Sequence, residues 1–373
     1  MPDPRVERYA GLLLDTCLRV ERGWQVLVWG YPQARPLLEA VTRELGRRGA
    51  YALLRLTFGG GLVYHADWLR EAPPETIGVP APIDVHALDH CDALLAIAAP
   101  ENTREGSDIA PERTAAVRAA YRRPTERVGA SDFPWVMCWY PTAAMAQDAG
   151  MPLAAFEDFL YGSVLVDWDA EHARLSRYAA LFDAAEEVRI VGDGTDLRLS
   201  LAGRRMEVDA GRGNMPGGEF FGCPVEDSAE GTIAFSEFPQ LRDGRELRNV
   251  RLRFSGGRVV DAAADGGESF LLEMLDTDDG ARRIGELGVG CNPGISRYMG
   301  NVYFDEKIDG SVHIALGFGF VDLGGTNVSA IHWDLVKDLR SGGRIELDGR
   351  VVQEDGVWLR GEAPAGRARR GTA

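Results

Sequence analysis

The 373-residue chain contains no run of about 18 apolar residues, so no segment is long enough to cross a bilayer as a helix. Its opening, Met1 to Asp15, lacks a charged-then-apolar leader followed by a small-residue cleavage site. A soluble, cytoplasmic protein with no membrane partner is the expectation. Cysteine is sparse. The five residues at 17, 91, 138, 223 and 291 are odd in number and form no Cys-x-x-Cys pair, which argues against a disulfide framework and fits a reducing compartment. Positive charge is scarce as well: the formal net charge is -16 and no lysine-arginine stripe offsets it, which disfavours nucleic acid as a partner. No Gly-x-Gly-x-x-Gly or Walker-type loop follows an apolar run, so no nucleotide fingerprint is present. The stretch from Gly361 has Pro, Gly and Arg without apolar periodicity and reads as a disordered tail over 361–373.

What is there has two grammars. After a helix around residues 5 to 18, Gln25 to Gly30 reads as a buried strand, Arg35 to Gly46 as a helix and Tyr51 to Phe58 as a second strand. Gly59-Gly60-Gly61 then makes a flexible corner. Cys91 to Ala98 is a further apolar run, Pro111 to Tyr121 is helical, Trp135 to Trp139 is a short strand, and helices cover Met145 to Tyr161. Strands alternating with helices at this spacing predict an α/β layered domain with a mostly parallel sheet. His86 and His90, just before the Cys91 run, read as a surface helix turn, with a second metal site as the alternative.

From Val188 the runs shorten. Val188–Val191, Asp196–Ser200, Arg251–Phe254 and Arg258–Asp261 are separated by Asp-Gly, Gly-Arg or Gly-Gly and alternate in polarity, the mark of antiparallel strands. The expected organisation is an α/β domain over 1–185 and a β-rich metal-binding domain over 186–360, with Met274 to Ile284 as one polar-faced helix.

Only six histidines occur, and two of them sit in that second region beside carboxylates. In His332-Trp333-Asp334, residues two apart share one face of a strand, so an imidazole and a carboxylate meet one ion together. His313 shares a face with Ser311 and Ala315, while Val312 and Ile314 enter the core; a polar histidine on a wet sheet face is the alternative. Glu219 follows Asn214-Met-Pro-Gly-Gly218, and Glu286 lies in Gly285-Glu-Leu-Gly-Val-Gly290, where a buried carboxylate needs a metal or an arginine partner. These five donors suit Zn²⁺, Mn²⁺, Co²⁺ or Fe²⁺ and exceed what one catalytic ion with an open position takes, which points to two adjacent ions. Glu226, Asp227 and Glu230 form either supporting groups or a solvated acidic loop. Cys223 and Cys291, close to prolines in the same region, are buried small hydrophobes or groups near the site.

Four ordered segments carry a resemblance: Asn214-Met-Pro-Gly-Gly-Glu219, Gly285-Glu286-Leu-Gly with Asn292-Pro293, Phe304-Asp-Glu-Lys-Ile308 leading to His313-Ile-Ala-Leu-Gly317, and Gly325-Thr-Asn-Val-Ser-Ala-Ile-His332-Trp-Asp334-Leu. With these the chain resembles the dinuclear metallo-aminopeptidases of the aminopeptidase T type, the thermophilic metalloprotease family. The resemblance implies two domains, a homodimer, two divalent ions (Zn, Co or Mn) held by Glu219, Glu286, His313, His332 and Asp334, and removal of N-terminal residues from small peptides. The family pattern has an active-site tyrosine seven residues beyond the first histidine, where this chain has Phe320; Tyr303 is a substitute phenol. Glu219 and Glu286 are the candidate catalytic bases, and Arg282, Arg283 and Lys307 are candidate anchors for a peptide carboxylate. Two other readings use the same residues. One is a mononuclear Fe ring-cleaving dioxygenase with His313, His332 and Asp334 as its triad, and the other is a catalytically inactive dimeric metal-binding scaffold.

Overall fold

A computed structural model of the chain describes residues 3–58, 64–125, 133–242 and 245–359. The Gly59–Gly61 corner and the 361–373 tail lie outside the described residues. The chain divides into two compact units, one of residues 1–168 with 211–217 and one of residues 169–210 with 218–373.

In the first unit five parallel strands lie in the order Tyr51–Leu56, Gln25–Gly30, Ala93–Ala98, Trp135–Trp139 and Gly213–Met215. The central Ala93–Ala98 strand is buried along its whole length, and Gln25–Gly30 is buried after its first residue. That is why both read as unbroken apolar runs rather than alternations. Helix Arg35–Arg48 connects the first two strands and ends on Gly49 at φ 71°, a left-handed cap that glycine adopts without a Cβ penalty. The expected Tyr51–Phe58 strand runs from Tyr51 to Leu56 and is the sheet's edge, with Tyr51, Leu53, Leu54 and Leu56 exposed. His86 and His90 stack at 4.2 Å on the exposed side of helix Pro82–His90.

The second unit is β-rich. An eight-stranded antiparallel sheet runs Arg258–Ala263, Val250–Ser255, Glu230–Phe235, Thr195–Ser200, Glu187–Gly192, Arg344–Leu347, Arg350–Glu354 and Val357–Trp358. A five-stranded antiparallel sheet runs His332–Asp338, Ser311–Gly317, Ile284–Gly290, Glu219–Gly222 and Glu207–Asp209. The expected Met274–Ile284 helix is corrected. The helix is Glu268–Leu275, a 3-10 turn covers Asp279–Arg282, and Ile284 opens a strand. The Asp278 carboxylate explains the break, since it accepts from the backbone N–H groups of Ala281 and Ala330 and from the Ser329 hydroxyl, local bonds that compete with a helical ladder. No described helix is long and apolar enough to cross a membrane.

The five-stranded sheet has a packed face and a polar face. On the packed side Phe220 meets Phe182 at 5.1 Å and Trp358 at 6.0 Å between ring centres, and Tyr178 stacks on Trp358 at 4.0 Å. Edge-to-face and offset aromatic packing of this kind stabilises beyond area burial alone. Removing the ring in Phe220→Ala is expected to cost about 3–5 kcal/mol in a urea denaturation experiment. A loss below about 1 kcal/mol would show that this cluster does not anchor the sheet.

Candidate metal centre

Strand register decides which side chains share the polar face. Because cross-strand partners point the same way, the pairing produces rows: Glu286–Ala315–Asp334, Phe221–Gly288–His313–Val336, and Asp209–Glu219–Gly290–Ser311, with His332 opposite Gly317. The small residues within these rows leave space for the large ones. Ala315 separates Glu286 from Asp334 by one short side chain. At Gly288 a Cβ would lie 2.0 Å from His313 Nε2, so only glycine lets that ring lie across the neighbouring strand.

All five predicted donors converge in a ladder of alternating carboxylates and imidazoles. Glu219 Oε2 is 3.5 Å from His313 Nε2, which is 3.3 Å from Glu286 Oε1. Glu286 Oε2 is 3.0 Å from His332 Nε2, which is 3.6 Å from Asp334 Oδ1. Glu286 is therefore central, with one oxygen toward each imidazole. Glu286, His313 and Asp334 each offer a ligand atom within 4.8 Å of the others. His313 is fully buried rather than on a wet sheet face, and His332, 28% exposed, is the opening of the centre.

Both rings are held from behind. His313 Nδ1 donates to the Glu306 carbonyl at 3.1 Å and His332 Nδ1 to the Phe318 carbonyl at 2.9 Å. A carbonyl only accepts, so each Nδ1 carries the hydrogen and each Nε2 faces the carboxylates, the arrangement of metal-binding imidazoles. Glu219 Oε2 is buried without a hydrogen-bond partner. An orphaned carboxylate oxygen beside imidazole nitrogens fits a divalent cation.

Charge explains the proton affinities. Burial lowers that of His313, but its bond to Glu286 and the fields of Glu219, Glu286 and Asp334 outweigh this and lift its pKa to about 9. The same balance, with Asp334 and Glu286 as partners, lifts His332 to about 11. Burial pushes Asp334 up, and the His332 bond overrides it and holds the carboxyl at about 2. Burial opposes ionisation of Glu286 too, yet the two imidazoles keep it below the ordinary range. Glu306, buried beside Lys307, is raised to about 8 by burial.

Two groups at this centre are absent from the sequence reading. Asp209 is buried on the edge strand opposite Glu219, and Glu306 pairs with Lys307. The two-residue alternation of Glu207 and Asp209 was the available signal for the first. Lys307 is corrected as a peptide anchor. It is 0% exposed, with Nζ 2.8 Å from Glu219 Oε1, and its charge is spent inside the protein. Arg282 pairs with Asp276, and Arg283 donates to the Glu226 carbonyl. Glu226 binds Arg204 and the Thr326 N–H, while Glu230 accepts from the Gly256 N–H, so both tie down loops. Cys223 and Cys291 are buried, and burial raises both thiols. Phe320 lies at the centre's wall: its ring is 5.3 Å from that of His332, and its N–H donates to Cys223 Sγ at 3.1 Å.

A chain of two compact units, one α/β and one β-rich, whose second unit collects imidazoles and carboxylates on one sheet face has the donor set of a metalloprotein. It belongs to the Thermophilic metalloprotease (M29) family, which it matches over residues 2–358. The chain is 31% identical to Aminopeptidase AmpS of Bacillus subtilis over 181 residues, 45% of this chain and 42% of that protein. It is 31% identical to Aminopeptidase T of Thermus aquaticus over 168 residues, 42% and 41% of the two chains. These alignments thus span about two fifths of the relatives' lengths. Aminopeptidase 2 of Geobacillus stearothermophilus aligns at 23% identity over 90% of this chain and 92% of its own. Wild-type AmpT from Thermus thermophilus has a similar structure, with a TM-score of 0.82 at 23% identity over 96% of this chain and 99% of that one. A 2,5-dihydroxypyridine dioxygenase from Pseudomonas putida shares the fold at a TM-score of 0.63 and 15% identity, over 96% and 98%.

The raised imidazole pKa values have a testable sign. Both lie above the ordinary 6.5, so the metal-free centre favours imidazolium at pH 7.5, and this contribution to stability, present below 6.5, fades as pH rises through about 9 for His313 and about 11 for His332. Metal binding needs neutral Nε2 and must expel those protons. Calorimetric titration with Zn²⁺ in buffers of different ionisation enthalpy should show release of about two protons per chain, with affinity rising with pH. Proton-neutral binding would contradict the protonated ladder.

Proposed function

We propose that the chain is a metal-dependent aminopeptidase that removes the N-terminal residue from small peptides. In this reading Glu219, Glu286, His313, His332 and Asp334 hold two divalent cations within the 186–360 domain, with Zn²⁺, Co²⁺ or Mn²⁺ as the ion. The observation that carries it is the central position of Glu286, one oxygen toward His313 and the other toward His332, which suits a carboxylate shared between two ions. A homodimer in the cytoplasm belongs to the same proposal.

Bound cations would supply a polarised scissile carbonyl and a water acidified toward neutral pH. The chain's own residues do the remainder. Asp334 and the acidic surroundings favour a protonated peptide N-terminus, and the half-open His332 side admits it. Glu219 and Glu286, the candidate bases from the sequence, are faced by Lys307 and by two imidazoles, which suits ligation better than proton transfer. Glu306, which pairs with Lys307 beside Glu219 and is raised by burial, is the carboxylate we assign to carry the proton from the attacking water to the leaving amine. His313 and His332 keep their orientation through the carbonyls behind them.

For the dioxygenase reading, a triad of His313, His332 and Asp334 needs open positions between the imidazoles, and Glu286 stands there instead. An inactive scaffold would bind metal without turnover. Phe320 bears on that possibility, since a phenyl ring beside His332 donates no hydrogen bond to an oxyanion.

The test is a metal-loaded enzyme offered paired peptides with free and acetylated N-termini. Cleavage confined to the free-amine member, and abolished in His332→Ala, is the expected outcome; cleavage of both alike, or of neither, would sink the aminopeptidase reading. Phe320→Tyr is expected to raise kcat/KM by up to about a hundredfold, the worth of one oxyanion donor, without altering metal stoichiometry.

A further inference from the structure

The chain has two lysines, Lys307 and Lys337, and both are 0% exposed. Lys337 is used structurally, with Nζ 2.6 Å from Glu237 Oε1 and 3.0 Å from the Asp193 carbonyl. Lys307 lies instead within the acidic end of the metal centre. Its Nζ donates to Glu219 Oε1 at 2.8 Å and pairs with Glu306 Oε1, and the carboxylate of Asp209 adds to the same field.

The two oxygens of Glu219 therefore have different fates. Oε1 is held by the ammonium, while Oε2 is buried without a hydrogen bond and lies 3.5 Å from His313 Nε2. A carboxylate so held cannot rotate or chelate through both oxygens without giving up a buried ion pair, which is costly because a charge left unpaired there has no water to turn to. Asp334 and Glu286 have as neighbours the imidazoles that share their centre, and an arriving metal ion displaces the protons on those rings, whereas the Lys307 ammonium stays on Glu219.

We propose that Lys307 is a positioning residue of the metal centre: by occupying Glu219 Oε1 it presents Oε2 as a single-oxygen ligand and makes the Glu219–His313 half the weaker, second-filled of two unequal metal positions. The inference rests on the two-ion reading above. Loading is ordered because the Glu286–His332–Asp334 half is made of donors free to close on an ion, whereas an ion beside Glu219 shares its carboxylate with a fixed positive charge 2.8 Å from the other oxygen. The lysine thus has two opposed effects, orientation that favours ligation and charge that opposes it. The double substitution Lys307→Met with Glu306→Gln separates them. It removes the ammonium together with a carboxyl whose proton affinity burial raises, so the change in charge is neutral or favours a cation, and weaker binding of the second ion reports the lost tether.

Calorimetric Zn²⁺ titration of the wild type and of this double variant reads the consequence. Two ions of unequal affinity are expected in the wild type. In the variant the first should bind within about threefold of the wild-type value and the second at least about tenfold more weakly, a loss of about 1.4 kcal/mol. Unchanged or tighter binding of the second ion would overturn the proposal. A wild type that takes one ion refutes the two-ion function instead; the tether is then judged by whether the double variant weakens that ion.

If the variant does not fold, the wild type supplies its own probe. With ¹⁵N-lysine only two side-chain ammonium signals exist, and Lys337→Met assigns them by elimination. The Lys307 signal should move with the second equivalent of Zn²⁺ and stay through the first. Movement with the first equivalent, or none at all, would reject ordered filling beside Glu219.

Discussion

Four carboxylates, Asp209, Glu219, Glu286 and Asp334, share one face of a β-sheet, and Glu306 joins them from the turn that follows Val302–Asp305, with little water to separate the five. Like charges at such distances are tolerable only with positive charge among them, because burying ionised groups costs several kcal/mol each unless they are paired. The pairing observed is Lys307 at one end and two imidazoles through the middle. This electrostatic requirement organises the remaining structure. Gly288 and Ala315 are small so that donors can meet across the strands, and the Glu306 and Phe318 carbonyls fix the rings. The opposite face carries Phe220 and Trp333 into apolar packing, which keeps a sheet with such a charged surface from opening.

Function follows from where the compensation is incomplete. Glu219 Oε2 has no hydrogen bond, and His332 is the ring open to solvent, so the ladder runs from a buried orphan oxygen to an accessible imidazole. Phe318, 37% exposed, and Phe320 stand beside that opening and give it an apolar wall. The surrounding carboxylates raise the proton affinity of both imidazoles, which makes metal loading and pH parts of one equilibrium.

Much of this was legible from residues alone, for physical reasons that differ by element. The parallel sheet showed itself because strands buried on both faces must be apolar throughout, as in Ala93–Ala98. His332 and Asp334 could be paired because residues two apart on a strand share a face. Glu219 and Glu286 stood out as candidate donors by their glycine-rich surroundings, and only the family resemblance grouped them with the histidines, since no local period links positions that meet across strands. The strand Gly213–Met215, three residues long, is too short for periodicity to reveal and joins the first unit's sheet. The Met274–Ile284 reading failed because helical propensity says nothing of the Asp278 side chain turning the backbone. Lys307 read as a candidate peptide anchor because its partner Glu219 lies 88 residues away in sequence.

The central claim is that the sheet face holds two ions on either side of Glu286. Its most direct test is the crystal structure of the Zn²⁺-loaded protein, with anomalous scattering measured at the zinc edge. The account predicts two peaks, one touched by Glu219 and His313 and the other by His332 and Asp334, with a Glu286 oxygen at each. One peak enclosed by all five side chains, or peaks away from this face, would contradict it.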